Sequence, residues 1–141
     1  IMTGSMNPTV ADTTENRNNL VFIASPTLAQ NYEEEFSGFW AGEFGYDAKV
    51  LYPKLLFNNF TIENYFCPED SCEVHIAETL KQANESIVFL QFSFTSDVLG
   101  DILLEKSKNV SVAGIFEKQQ KSAYSEFTKL QHLNVSWDSN S

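Results

Sequence analysis

The residues best suited to hold a ligand lie together in Thr3-Gly4-Ser5-Met6-Asn7-Pro8-Thr9. Gly4 adopts backbone conformations closed to other residues and lets a ligand come close to the main chain. Ser5 adds a hydroxyl, and Asn7 an amide that donates two hydrogens. Pro8 has no N–H to give and stops a sheet ladder. Small donors on a bent backbone suit the oxygens of a phosphate. The same residue types also build ordinary turns, and the group contains neither a nucleophile nor a titrating base.

Other candidate groups are weaker. Cys67, Cys72 and His75 supply three ligands where a closed zinc site takes four, so no metal is expected. For the two cysteines, a local disulfide and a pair of reduced thiols both stay open; a disulfide would go with export. Asn59, Asn84, Asn109 and Asn134 each begin an Asn-x-Ser/Thr sequon, a pattern that an Asn-rich chain also produces by chance. His75 and His132 fall on predicted helices, where surface positions are the plain expectation. Glu33, Glu34 and Glu35 read as the solvated side of a helix.

A chain of 141 residues can bury one real core. Its net charge of -10 argues against a broad nucleic-acid-binding face, which needs clustered Lys and Arg. No apolar run approaches the ~20 residues that cross a bilayer. The sequence starts at Ile1, which suggests an excerpt from a longer polypeptide.

The elements that must position these residues follow from periodicity. Ile1–Thr3 reads as a strand end running into the Gly4–Asn7 turn, and Asp12–Asn19 as a polar loop. Leu20–Ile23 is a short apolar run expected to be a buried strand. Ser25-Pro26 is an N-cap followed by proline at the first helical position. Leu28, Tyr32, Phe36 and Phe39 or Trp40 then share one helical face, ended by Gly42 and Gly45. Residues 46–62 show no clear period and read as a connector with at most a short strand. Asp70 and Glu73 resemble a capping box, ahead of a helix whose face carries Ile76, Ala77, Leu80 and Ala83.

Ile87–Phe94 is the strongest strand, its apolar run suggesting burial on both faces. Thr95-Ser96-Asp97 caps a helix with Val98, Leu99, Ile102 and Leu103 inward. Val110–Phe116 is a further strand, Tyr124, Phe127, Leu130 and Leu133 line a further helix, and Val135 and Trp137 begin a last strand. Alternation of this kind predicts an α/β fold with a parallel sheet.

Thr3-Gly4-Ser5-Met6-Asn7, Phe66-Cys67-Pro68-Glu69-Asp70 and Phe92-Ser93-Phe94-Thr95-Ser96-Asp97 together resemble the phospholipase D superfamily, in particular its compact phospholipase D-like, cardiolipin-synthase-like and nuclease-like members. The resemblance implies an α/β phospholipase D-like lobe, with a mostly parallel central sheet flanked by helices on both faces. In that family the Phe-x-Pro segment and the Ser-Phe-Thr-Ser strand end precede the His-x-Lys-x₄-Asp motif, and the Gly-Ser-x-Asn turn follows it. Here the closing part comes first. The expectation is therefore an incomplete lobe pair, with residues 1–45 ending a first lobe, 46–62 connecting, and 63–141 beginning a second. A circularly permuted lobe is the alternative.

The motif itself is missing, since neither His75 nor His132 has a lysine two residues on; no catalytic residue is expected in this chain. What the family implies is a cofactor-free phosphodiesterase. One histidine attacks phosphorus and forms a phosphohistidine, and a second serves as acid and then base. By motif match Ser5 and Asn7 would contact the phosphoryl group or support those that do, with Gly4 permitting the turn. The family's usual Asn-x-Glu-Asn run is here Asn16-Arg17-Asn18-Asn19, so Asn18 replaces a glutamate that supports histidine. An amide can hydrogen-bond imidazole but cannot balance its positive charge. Glu117, after the Val110–Phe116 strand, could lie at the mouth of the site. The implied partner is a phosphodiester, phospholipid or nucleic acid, with lipid favoured weakly by the acidic charge. Strand edges left open in such a piece would invite a homodimer.

Overall fold

The computed structural model describes residues 1–44 and 49–139. The chain forms two compact units, Ile1–Ser71 and Cys72–Ser141. The fold is α/β. Among the described residues there are three sheets, two of them antiparallel pairs and the third a parallel sheet of three strands.

In the first unit, β1 (Met2–Gly4) pairs antiparallel with β2 (Leu20–Phe22), Gly4 facing Leu20 and Met2 facing Phe22. The segment between them is not all loop, because α1 (Val10–Thr14) occupies its middle. The oxygen of Thr9 caps that helix by accepting the Asp12 N–H. β2 is exposed along its whole length, against the expected burial. An apolar run of this length cannot distinguish a core strand from one in a two-stranded ribbon.

α2 (Pro26–Ala41) starts as expected. The Ser25 oxygen accepts the Leu28 N–H, Pro26 sits in the first turn, and Gly42 ends the helix at φ 83°, a conformation that suits glycine. Gly45 lies outside the described residues. The predicted apolar face is buried only at Leu28, while Phe36, Phe39 and Trp40 are exposed. Burial of this helix is instead centred on Asn31, which is 1% exposed. Its amide donates to the Tyr52 carbonyl and to Asn64 Oδ1, both at 2.9 Å, and its oxygen accepts the Tyr52 N–H at 3.0 Å. Glu35 is half-buried rather than fully solvated; burial first, then the charges of Glu69 and Asp70, raise its pKa.

Of the predicted connector, residues 46–48 lie outside the described residues, and 49–62 hold more structure than predicted. β3 (Lys54–Phe57) and β4 (Phe60–Glu63) form a hairpin in which Phe57 faces Phe60. Its two turn residues, Asn58 and Asn59, have φ of 47° and 69°, the left-handed region that two-residue hairpin loops demand and asparagine tolerates. Buried Asp70 does not follow the expected capping-box pattern. Its two oxygens accept the N–H groups of Phe66 at 2.9 Å and Val50 at 3.3 Å. Both cysteines are disulfide-bonded, closing the loop from Cys67 to Cys72; its Cys67–Pro68 peptide is cis.

The second unit follows the predicted alternation of α3 (Cys72–Gln82), β5 (Ser86–Gln91), α4 (Asp97–Lys106), β6 (Ser111–Phe116), a 3₁₀ turn (Lys118–Gln120), α5 (Phe127–Leu130) and β7 (Asn134–Trp137). The strands run parallel in the order β5-β6-β7. Ile87, Phe89, Val112, Gly114, Phe116, Val135 and Trp137 share one face by register. Leu80, Leu99, Leu103, Phe127 and Leu130 from the helices pack into the same core. Phe116, 2% exposed, is its centre, with the rings of Phe89, Phe94, Phe127 and Trp137 all within 5.8 Å of it between centroids. Gly114 leaves room for this, because a Cβ there would lie 2.2 Å from the tip of the Phe89 ring.

β5 is buried on one face only. Val88 and Leu90, on the other, are 75% and 74% exposed, because β5 is an outer strand with its second apolar stripe uncovered. Val98 and Ile76 are likewise exposed. α5 is only one turn long, Tyr124 stands outside it, and His132 lies in a turn rather than on a helix. Gly100 brings α4 close to Glu126, a buried carboxylate whose Oε2 would lie 1.8 Å from a Cβ at that position. Lys129 compensates this charge at 2.8 Å and also meets Asp101 at 2.8 Å and Asp97 at 3.1 Å. Hydrogen bonds that the lysine donates to Asp101, then to Glu126 and Asp97, hold it above its ordinary pKa.

Replacing Phe116 by Ala should destabilise the second unit by ~3–5 kcal/mol. Ile115→Ala, next to it but on the exposed face, should cost under about 1 kcal/mol. Urea unfolding followed by near-ultraviolet circular dichroism separates the two, and equal losses would refute this assignment of the core.

Candidate functional site

The Gly4–Asn7 turn and the Asn16–Asn19 run meet across the β1–β2 pair. Ser5 donates its hydroxyl hydrogen to Asn18 Oδ1 at 3.0 Å and accepts the Asn19 N–H at 3.1 Å. Its own N–H donates to the Asn19 carbonyl at 3.1 Å. Two positions singled out separately in the sequence, Ser5 and Asn18, are therefore in contact. Gly4 has φ 154°, and a Cβ there would lie 2.2 Å from the Asn19 carbonyl oxygen and 2.9 Å from Leu20 Cα. What requires glycine is the close passage of the chain's own backbone.

The residue that organises the group is Asp12, which sequence reasoning left inside a loop. It is buried. Its Oδ2 accepts the Asn7 N–H at 2.5 Å, its Oδ1 accepts from the Asn16 amide at 2.5 Å, and its carbonyl accepts from the Asn18 amide at 3.1 Å. The Asn7 N–H, then the Asn16 amide, hold the carboxyl below its ordinary pKa, with smaller help from the Asn7 side chain and Thr9 and against the effect of burial. The available signal was Thr9-x-x-Asp12, a helix-start pattern of hydroxyl followed three residues later by acid.

The chemistry of the cluster follows from where its donors point. Both polar atoms of the Asn18 amide are engaged, so its orientation is fixed. The Asn7 N–H and the Asn16 amide turn inward to the carboxylate. Ser5, Asn7 and Asn18 nonetheless stay exposed at the surface, so Ser5 keeps a lone pair toward solvent, while the Asn7 side chain also bonds the Asp12 carboxylate. The cluster can hold a shape and offer polar groups, and none of its residues is a histidine.

Glu117 belongs to the second unit. Its carboxylate accepts the Gln119 N–H at 2.9 Å and caps the 3₁₀ turn after β6. A similar local role falls to Ser96, which caps α4 through the Leu99 N–H and donates to Glu73 at 2.5 Å. His75 Nδ1 lies 3.8 Å from Glu78 on α3. No helix is long and apolar enough to cross a membrane among the described residues.

Comparison with protein-family models, with curated proteins and with solved structures yields no match to this chain.

Two substitutions test the geometry. Because folding lowers the Asp12 pKa below 3.8, the ionised carboxylate stabilises the fold above that pH, and the contribution is lost as pH falls through the folded-state value. Asp12→Asn should therefore lower the urea midpoint at neutral pH, with the gap closing in acid below 3.8; a gap independent of pH would contradict the network. Gly4→Ala should cost ~1–3 kcal/mol by forcing β1 from β2, read as faster amide exchange at Ser5 and Asn19.

Proposed function

We propose that this chain is part of a phospholipase D-like phosphodiesterase, which hydrolyses or transfers phosphodiesters through a phosphohistidine. In this reading Gly4, Ser5, Asn7 and Asn18 belong to the surface that receives or supports the phosphoryl group, and the histidines that react are not in this chain. The observation that carries it is the Ser5–Asn18 hydrogen bond. It unites, on one exposed surface, the two stretches that resemble the family's post-motif turn and histidine-supporting run. The parallel β5-β6-β7 sheet, with a helix between successive strands, agrees with the α/β lobe the family implies. A second helical layer over Val88, Leu90 and Ile115 completes that lobe in the proposal, and the exposure of these residues supports it. The substrate favoured is a phospholipid or small phosphodiester, given the net charge of -10; pairing of two copies along the outer strands belongs to the same reading.

A non-catalytic binding or assembly module is the second reading. It is favoured by the amide of Asn18 in place of a carboxylate and by the ionised Asp12 directly behind Asn7, which repels an approaching phosphate.

A chromogenic phosphodiester assayed with EDTA present separates the two. The full parent protein should turn over without metal, and Asn7→Ala should lower kcat by roughly 10²–10³ if its amide serves the transition state. The 141-residue chain alone should show no turnover. Turnover only on addition of metal would defeat the enzyme reading, whereas phosphodiester binding without turnover by the parent would establish the module.

A further inference from the structure

Three of the four sequons fall at one end of one sheet. Asn84 and Asn109 each stand just ahead of a strand, and the first residues of those strands, Ser86 and Ser111, are register partners. Asn134 is the first residue of β7 and pairs with Ala113 near the start of β6. Since the strands are parallel, all three asparagines mark the amino-terminal end of the sheet. The fourth, Asn59, sits in the β3–β4 hairpin turn at φ 69°. All four are exposed, and the residues between each asparagine and its hydroxyl partner, Phe60, Glu85, Val110 and Val135, include no proline.

The second observation is the disulfide formed by Cys67 and Cys72. Such bonds persist in oxidising compartments and are rare where thiols are kept reduced. Sequons are modified on exported chains at exposed turns and loops. Motif, exposure and redox state thus agree on one route.

We propose that Asn84, Asn109 and Asn134 form an N-glycosylated rim at the amino-terminal end of the β5-β6-β7 sheet, with Asn59 as a separate acceptor on the hairpin. The sugar donor is a polyprenyl-phosphate-linked oligosaccharide. Asparagine Nδ2 bonds to the anomeric carbon, the carbon–oxygen bond to the lipid phosphate breaks, and the phosphate leaves with the electron pair. Nδ2 gives up one hydrogen as a proton to a base of the transferase. Sugar on this rim leaves the carboxyl-terminal end of the sheet, where Glu117 and Asp138 follow β6 and β7, uncovered. The proposal stands apart from the phosphodiester reading and survives its failure.

The test is mass spectrometry of the protein from the cells that make it, with thiols alkylated before lysis and one sample treated with a glycan-releasing amidase. Expected are a Cys67–Cys72 disulfide, sugar-bearing peptides covering at least two of Asn84, Asn109 and Asn134, and conversion of those asparagines to aspartate by the amidase. Unmodified asparagines in a disulfide-bonded chain overturn the proposal. So do alkylated cysteines, which place the chain in a reducing compartment, and sugar at Asn59 alone, which removes the rim.

Discussion

A buried carboxylate must find donors, and in the first unit this requirement shapes everything between β1 and β2. Asp12 draws the Asn7 N–H and the Asn16 amide toward itself, while its carbonyl takes the Asn18 amide. A charge withdrawn from water without such partners would be costly, so they are not interchangeable with solvent. The turn at Gly4, the short helix α1 and the start of β2 are thereby fixed to one centre. The polar residues that look in sequence like an anion cradle owe their arrangement to a negative charge inside the protein.

The two units solve the problem of a small core by different means. The second uses aromatic surface, with Phe116 surrounded by four rings and Gly114 giving way to Phe89. Offset and edge-on ring contacts add specificity to plain burial. The first has few buried apolar side chains and relies on amides. Asn31 meets both polar groups of Tyr52 as a neighbouring strand would, and reaches Asn64 as well. Such a stitch constrains position more than it adds stability, since the net gain per hydrogen bond is only ~1 kcal/mol.

How much of this was legible in the sequence depended on whether the signal was local. Ser25-Pro26, Ser96 and Gly42 announced their helix ends because capping chemistry is confined to a few adjacent atoms. The β5, α4, β6 and β7 alternation was equally clear. Burial was not, because Leu20–Phe22 and Val88–Leu90 are apolar runs whose exposure depends on what packs against them. The hairpin at Asn58-Asn59 lacked the glycine that usually flags such a turn. At the candidate site Gly4, Ser5, Asn7 and Asn18 were recognisable by type, but the carboxylate that unites them was not. Thr9-x-x-Asp12 marks a helix start, but that the Asp12 carboxylate gathers Asn7 and Asn16 is set by contacts of the folded chain.

Lys129 bears on how dissolved ions act on the second unit. It serves three carboxylates, including the nearly sealed Glu126, and its side chain is only 26% accessible. Dissolved ions relieve the mutual repulsion of an excess of acid spread over the exterior, but act less on charges held away from water. Salt therefore screens the exposed Asp97 and Asp101 partners of Lys129, which tie α4 to α5, more than it loosens the Lys129–Glu126 pair.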